Sequence, residues 1–395
     1  MWIHPHGPRF SPALMSAHWC GNVDSTMEAR RTSSDGPPNF WLNSLIRVTS
    51  LRMRHLLMNA IFRNALPSIA RRLLLTGRLV VLRKPNGGAR PIVVPSQISR
   101  LASMLAVDIM RTRVGDAVGP DQYGIGVSGG AATAVHVLQA TLEAAEAVCG
   151  DQALPALLSI DFANAYGNIE RQAVLDAIGT NPALHPLTGF TAFGLGPGAT
   201  NLAIGRDAAG DPVSIIIQNG IRQGDPASPW LYCLVADTIL RSAFTALAAS
   251  PLQEGIAPHL DHVLGGSTYL DDNTAIGLVP RGAPADGTPG RLIQLLNHLR
   301  SAPEATRAGL FLNMDKSFVL LKTAPPEWFN AAAAARGLHI ATGTARVLGV
   351  PVGWPTDDSA AALCEHLLPA VERQCRTAVD PGLPVQHAWL LLRNP

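Results

Sequence analysis

Apolar residues recur at intervals of three and four between Phe40 and Leu75, at Leu45, Ile46, Val48, Leu51, Leu56, Leu57, Ile61 and Leu66. Arg47, Arg52, Arg54, Arg63, Arg71 and Arg72 stand between them. This period predicts two amphipathic helices with a basic face, suited to solvent or to a polynucleotide backbone. Two β-rich runs then flank Pro85-Asn-Gly-Gly88 within Leu79–Val94, which predicts a hairpin. A helix is predicted over Gln97–Arg113 and another over Ala131–Ala147. Between them, Gly124, Gly126 and Gly129 have the spacing of a dinucleotide-binding turn. No strand precedes them and no acid follows at the required distance, so they are read as a glycine-rich turn before the helix.

Beyond residue 150 the pattern alternates. Ala156–Asp161 reads as a buried strand ending in a carboxylate, and Ile169–Ile178 as a helix. Val213–Ile217 is a strand, and a helix starts near Ser228 after a Gly/Gln/Asp/Pro loop. Leu264–Leu278 reads as strand, turn, strand, with Asp271 and Asp272 at the turn. Leu292–Arg300 is helical, Ser317–Leu321 a strand and Ala331–Ala335 part of a helix. Strands mixed with helices in this way predict an α+β or α/β architecture.

Composition narrows the class. Of 395 residues, 47% are hydrophobic and 15% charged, against about 25% charged in ordinary globular chains. Bulk disorder is excluded, because disordered chains are apolar-poor and charge-rich. The net charge of +2 announces no polyanion partner by itself, so any such surface must come from local clustering. The odd number of cysteines, five, and the lack of any C-x-x-C pair argue against zinc and disulfide frameworks and fit a reducing compartment. His4, His6 and His18 have no acid or thiol at metal-ligand spacing. The most apolar stretch, Trp230–Ala249, carries Asp237 and Arg241, so no membrane span or membrane partner is expected. Residues 1–38 read as a disordered leader without a secretory pattern.

Three acids end apolar strand patterns: Asp161, Asp271 and Asp272. Alone, each is an ordinary turn former or a solvated charge. Brought together, they suit metal-assisted phosphoryl transfer, in which two divalent ions clamp the attacking and leaving oxygens. Mg²⁺ takes oxygen ligands, commonly one or two carboxylates plus substrate phosphates.

The neighbouring blocks sharpen this. Asp161-Phe-Ala-Asn-Ala-Tyr166 places an aromatic five residues after the first acid. Gly220-Ile-Arg-Gln-Gly-Asp-Pro-Ala-Ser-Pro229, Tyr269-Leu-Asp-Asp272, Gly309-Leu-Phe-Leu-Asn313 with Lys316-Ser317, and Val347–Gly353 follow in order. With the hairpin from Leu82, these blocks resemble reverse transcriptases, most closely those of non-LTR (LINE-like) retrotransposons, over about two thirds of the chain.

The resemblance implies roles. Asp161 and Asp271 would be metal ligands, Asp272 a more peripheral one, and the Phe162 carbonyl a further oxygen ligand. Tyr166 matches a steric gate that collides with a ribonucleotide 2′-hydroxyl. Gln223 and Gly224 would touch the incoming nucleotide and template base, with Ser228 capping the next helix and Pro229 in its first turn. Lys84 and Arg90 would contact the triphosphate. Lys316 would act near the leaving pyrophosphate, as a proton donor or a structural charge. Val347–Gly353 would support the primer end. The implied fold is an α+β right hand with fingers, palm and partial thumb, its antiparallel palm sheet backed by helices. The implied organisation is a leader at 1–38, N-terminal helices and fingers at 39–150, palm and primer-supporting hairpin at 151–356, and the start of a truncated thumb at 357–395. Two Mg²⁺, or Mn²⁺, an RNA template, a DNA or RNA primer and dNTPs would be the cofactors and partners. Nuclear action follows only from the resemblance, and the oligomeric state is not set by the sequence. Two other readings stay open: an inactive RNA-binding remnant, which the short C-terminal part would favour and the three intact acids argue against, and an RNA-directed RNA polymerase, against which Tyr166 argues.

Overall fold

The structure is a computed structural model. It describes residues 51–355 apart from 84–87, 112, 114–116 and 208–209. The expected leader, the expected thumb, the first part of the basic helices and Lys84 therefore lie outside the described residues.

Helices α1 (Leu51–Phe62) and α2 (Ser68–Leu75) lead into β1 (Thr76–Arg83), β2 (Ala89–Pro95) and α3 (Gln97–Arg111). Helix α4 (Gly130–Cys149) precedes β3 (Ala153–Ile160), the short α5 (Ala165–Asn168), α6 (Arg171–Thr180) and α7 (Thr188–Leu195). Strands β4 (Asn201–Arg206) and β5 (Pro212–Ile217) precede α8 (Ser228–Ala248). Then come β6 (Val263–Tyr269), β7 (Asp272–Pro280), α9 (Arg291–Ser301) and α10 (Pro303–Arg307). The described part closes with β8 (Phe318–Leu321), α11 (Glu327–Ala334), β9 (His339–Thr342), β10 (Thr344–Val347) and β11 (Val350–Gly353).

The central sheet has five strands in the order β6-β7-β3-β8-β9. Its pairings are antiparallel except β8 with β9, which is parallel. The expected antiparallel sheet is found in three of its four pairings; at β8–β9 the α11 crossover returns the chain in the same direction, as parallel pairing requires. Strands β3 and β7 are buried along nearly their whole length, so both faces of the sheet are covered. On one face Leu138 and Leu142 of α4 pack with Leu157, Ile276 and Leu320. Gly277, the next residue along β7, faces Leu292 of α9 on the other side, where a Cβ would come within 3.0 Å of it. Adjacent residues pointing to opposite faces is the strand period itself.

A second sheet has the order β2-β1-β4-β5, with β1 and β2 antiparallel and β1 and β4 parallel. The predicted hairpin is present, with Arg83 opposite Ala89. Sequence reading finds β5 but not β4, whose Asn-Leu-Ala-Ile-Gly-Arg is short and lacks β-branched density, nor α7, which carries two glycines. The last hairpin, β10–β11, turns through Leu348 and Gly349, both in the left-handed region that a two-residue turn demands.

Helix α8 is long and apolar enough to cross a membrane by length and composition, and 61% of that window is buried inside the protein. It is a core helix here, and its one buried acid, Asp237, accepts from the Gly119 amide and pairs with Arg241. Ser228 does not cap it. The cap residue is Ala227, and no side chain accepts from the first helical amides; the Ala227 amide itself donates to Asp225 Oδ1 in the loop before the helix.

A buried ion pair ties α9 to the loop before β6. Arg291 Nε and Nη2 donate to Asp261 Oδ1 and Oδ2 at 2.7 and 2.6 Å, and the Gln253 amide donates to the same carboxylate. Removing one partner leaves an uncompensated buried charge, which costs about 3–5 kcal/mol. Asp261→Ala is expected to destabilise the protein by that amount in denaturant titration; a change under about 1 kcal/mol would contradict this account of the pair.

Candidate active site

The candidate catalytic, metal-binding and nucleotide-binding residues other than Lys84 line one open cleft of about 780 Å³: Arg90, Asp161, Phe162, Tyr166, Gln223, Gly224, Asp271, Asp272 and Lys316; Val347–Gly353 lies outside it. They arrive from five separate segments, and the sheet register is what aligns the acids. Ile160 pairs with Asn273 across β3 and β7, so the next step of the ladder sets Asp161 beside Asp272. Asp271 and Leu270 form the turn between β6 and β7, and Asp272 is the first residue of β7.

Asp161 is held from two sides. Its amide donates to Ser317 Oγ at 3.0 Å and its carbonyl accepts from the Asn313 amide at 2.8 Å. Asn313 Nδ2 donates to Asp161 Oδ2 at 2.9 Å, and Lys316 Nζ lies 3.8 Å from the same oxygen. Phe162 forms an antiparallel bridge with Leu312. The bonds of that bridge belong to its neighbours, Asp161 with Asn313 and Ala163 with Phe311, so the Phe162 carbonyl lies outside them. Asn313 and Ser317 fall in a block noted from the sequence, but their role was not legible, because both act on a residue some 150 positions away.

Burial raises the pKa of Asp271, and Asp161 raises it further, against Arg90 and Lys316, which lower it. Asp272 is raised by burial, then by Asp271 and Asp161. Both side chains reach solvent, but the cleft thins the water around them while their neighbours share their sign. Among the described residues, no three His, Cys, Asp or Glu side chains enclose a single ion by themselves. The three acids line the cleft with carboxylate oxygens, the donor type that Mg²⁺ takes.

Tyr166 stacks on Tyr232, ring centroids 5.1 Å apart and tilted by 32°. Tyr232 is fully buried in α8 and its hydroxyl has no partner; the pKa of both phenols is pushed up, first by burial and then by Asp271. The loop after β5 packs on this aromatic pair. The Ile221 amide donates to the Tyr166 carbonyl, and the Val93 amide of β2 donates to the Gln223 carbonyl, both at 2.8 Å. Gly224 has φ of +105°, and a Cβ there would come within 2.9 Å of Ile92 and Val93, so both conformation and space demand glycine. Arg222 and Asp225 lock the loop with an ion pair at 2.9 Å, and Gln223 Oε1 is buried without a partner.

No protein family and no curated protein matches the sequence. Among solved structures, the Candida albicans telomerase in complex with a TWJ fragment of telomeric RNA aligns with a TM-score of 0.45 and 12% identity, over 73% of this chain and 46% of that one. The apo Candida tropicalis telomerase truncated from its C-terminal domain aligns with a TM-score of 0.42 and 12% identity, over 71% and 54%. The chain spans about half the length of the structures it matches. A likeness this loose concerns the path of the chain and says nothing of activity.

A carboxylate whose pKa is raised on folding lowers stability above that pKa, and the loss disappears as pH falls through it toward the ordinary value near 4. Asp271→Asn is therefore expected to raise the melting temperature of the metal-free protein at pH 7. Its advantage should shrink as pH falls toward 5. A variant less stable than the parent at pH 7 would contradict the repulsion described here.

Proposed function

We propose that this chain is an RNA-directed DNA polymerase of the non-LTR retrotransposon kind, extending a primer 3′-hydroxyl with dNTPs. The observation that carries the reading is the convergence of Asp161, Asp271 and Asp272 with Tyr166, Gln223 and Arg90 in one open cleft. Acids that raise one another's pKa are unfavourable neighbours unless a cation neutralises them. Asp161 and Asp271, with the Phe162 carbonyl, would hold Mg²⁺ or Mn²⁺, and Asp272 would stand at the margin. When bound, the ions lower the pKa of the primer hydroxyl and stabilise charge on the transferring phosphoryl group.

The chain's own residues orient the substrate. Arg90, at the start of β2, offers a guanidinium suited to phosphate. Lys316, exposed beside Asp161, supplies positive charge where pyrophosphate would leave. The Tyr166 ring, fixed on buried Tyr232, forms a wall that a 2′-hydroxyl would strike. Gln223 presents its amide from a loop anchored to β2 on one side and to Tyr166 on the other. No protein nucleophile is required, because the primer hydroxyl attacks directly.

Primer extension on an RNA template with dNTPs and Mg²⁺ tests this. The parent is expected to make DNA, and the Asp271→Ala, Asp272→Ala double variant to lose about a thousandfold or more, since metal-assisted charge stabilisation amounts to several kcal/mol. Product from both proteins, or RNA binding with no product from the parent, would overturn the reading. Tyr166→Ala is expected to weaken discrimination against ribonucleotides by about tenfold or more in competition assays; unchanged selectivity would remove Tyr166 from the role of sugar gate.

A further inference from the structure

Leu270, the residue before Asp271, has φ of +58°. The two-residue turn closed by the Tyr269–Asp272 pair demands this conformation, and a non-glycine side chain in it is unfavourable by about 1 kcal/mol or more, so contacts around the turn must offset the cost. One side chain reaches both polar groups of its backbone. Gln122 Oε1 accepts from the Leu270 amide at 2.9 Å, and Gln122 Nε2 donates to the Leu270 carbonyl at 3.5 Å. The same Oε1 accepts from the Gly124 amide at 3.0 Å.

Gln122 is itself fixed. It is buried, at 4% exposure, and bridges Thr268 of β6 in parallel fashion. The Tyr123 amide donates to the Thr268 carbonyl, and the Thr268 amide to the Asp121 carbonyl, both at 2.8 Å. Gly124 lets this segment come close: a Cβ there would stand 2.7 Å from the Leu270 nitrogen. Its φ is not positive, so glycine is needed for space rather than for conformation. The segment 121–124 thus grips the turn through backbone on one side and the Gln122 amide on the other.

We infer that Gln122 is a positioning residue for the β6–β7 turn: by clamping Leu270 in its left-handed conformation it aims the Asp271 carboxylate into the cleft. Gln122 does not line the cleft, so it acts only through Leu270. The link to metal binding rests on the function proposed above; the clamp itself does not. Gln122→Met keeps the volume and removes all three hydrogen bonds. Leu270→Gly removes the backbone penalty that the clamp offsets, because glycine adopts positive φ freely.

The test compares the parent, Gln122→Met, Leu270→Gly and the double variant. Hydrogen–deuterium exchange of the peptide spanning residues 268–272 reads the turn. Electron paramagnetic resonance with Mn²⁺ alone reads metal binding. Gln122→Met is expected to speed exchange at the turn by about tenfold, because of the three lost bonds only the one from the Leu270 amide protects a proton of this peptide, and to weaken Mn²⁺ binding by a similar factor. Leu270→Gly in that background should restore at least half of the lost Mn²⁺ affinity, an outcome that general destabilisation would not produce. If Gln122→Met does not fold, Gly124→Ala, which intrudes on the Leu270 nitrogen, is expected to give the same two changes. Unchanged exchange at the turn in Gln122→Met, or additive losses in the double variant, would overturn the clamp. A parent that binds no Mn²⁺ and extends no primer would instead overturn the proposed function, while exchange at the turn still decides the role of Gln122.

Discussion

Three carboxylates of one sign share the end of a sheet, and the rest of the structure is arranged to tolerate it. Asp271 and Asp272 sit where burial and each other's neighbours hold their pKa up. The β3–β7 ladder, eight residues long and buried on both faces, supplies the rigidity that keeps Asp161 next to them. A one-residue slip in that ladder would turn every apolar side chain to the wrong face, so core packing and acid placement are specified by the same register. The core clusters of α4 and α9 against the sheet are thus also the support of the site.

Helix α8 serves twice. Its apolar length fills the interior, and its first turns lie beneath the cleft. Tyr232 carries Tyr166 on its ring, and the adjacent Cys233 Sγ contacts the Leu270 carbonyl at 3.8 Å. The start of the helix is held by Asp225, which also pairs with Arg222, so the loop lining the cleft and the helix share one anchor. Burial leaves the Cys233 thiol with a strongly raised pKa, in keeping with a packing role rather than a reactive one.

Much of this was legible in the sequence. The strand ending at Asp161, the hairpin bearing Asp271 and Asp272, the Pro-Asn-Gly-Gly hairpin and helices α3, α4, α8 and α9 all follow from local periodicity and turn chemistry. What was not legible is long-range. Gln122 meets Leu270 across 148 residues, and Asn313 meets Asp161 across 152, with no local pattern to announce either contact. Strand β4 escaped because its stability comes from pairing with β1 and β5 rather than from its own composition. Ser228 is not the cap because the helix begins at Ser228 itself, one residue earlier than its Ser-Pro pair suggests.

The central claim is that Asp161 and Asp271 share divalent cations with a nucleotide. The most direct measurement is anomalous diffraction from crystals grown with Mn²⁺, an RNA–DNA primer–template and a non-hydrolysable dNTP. Two Mn²⁺ peaks between these carboxylates and the triphosphate, about 3.5–4 Å apart, are the predicted result. A nucleotide bound in the cleft with no Mn²⁺ at Asp161 and Asp271, or Mn²⁺ bound only elsewhere, would contradict it.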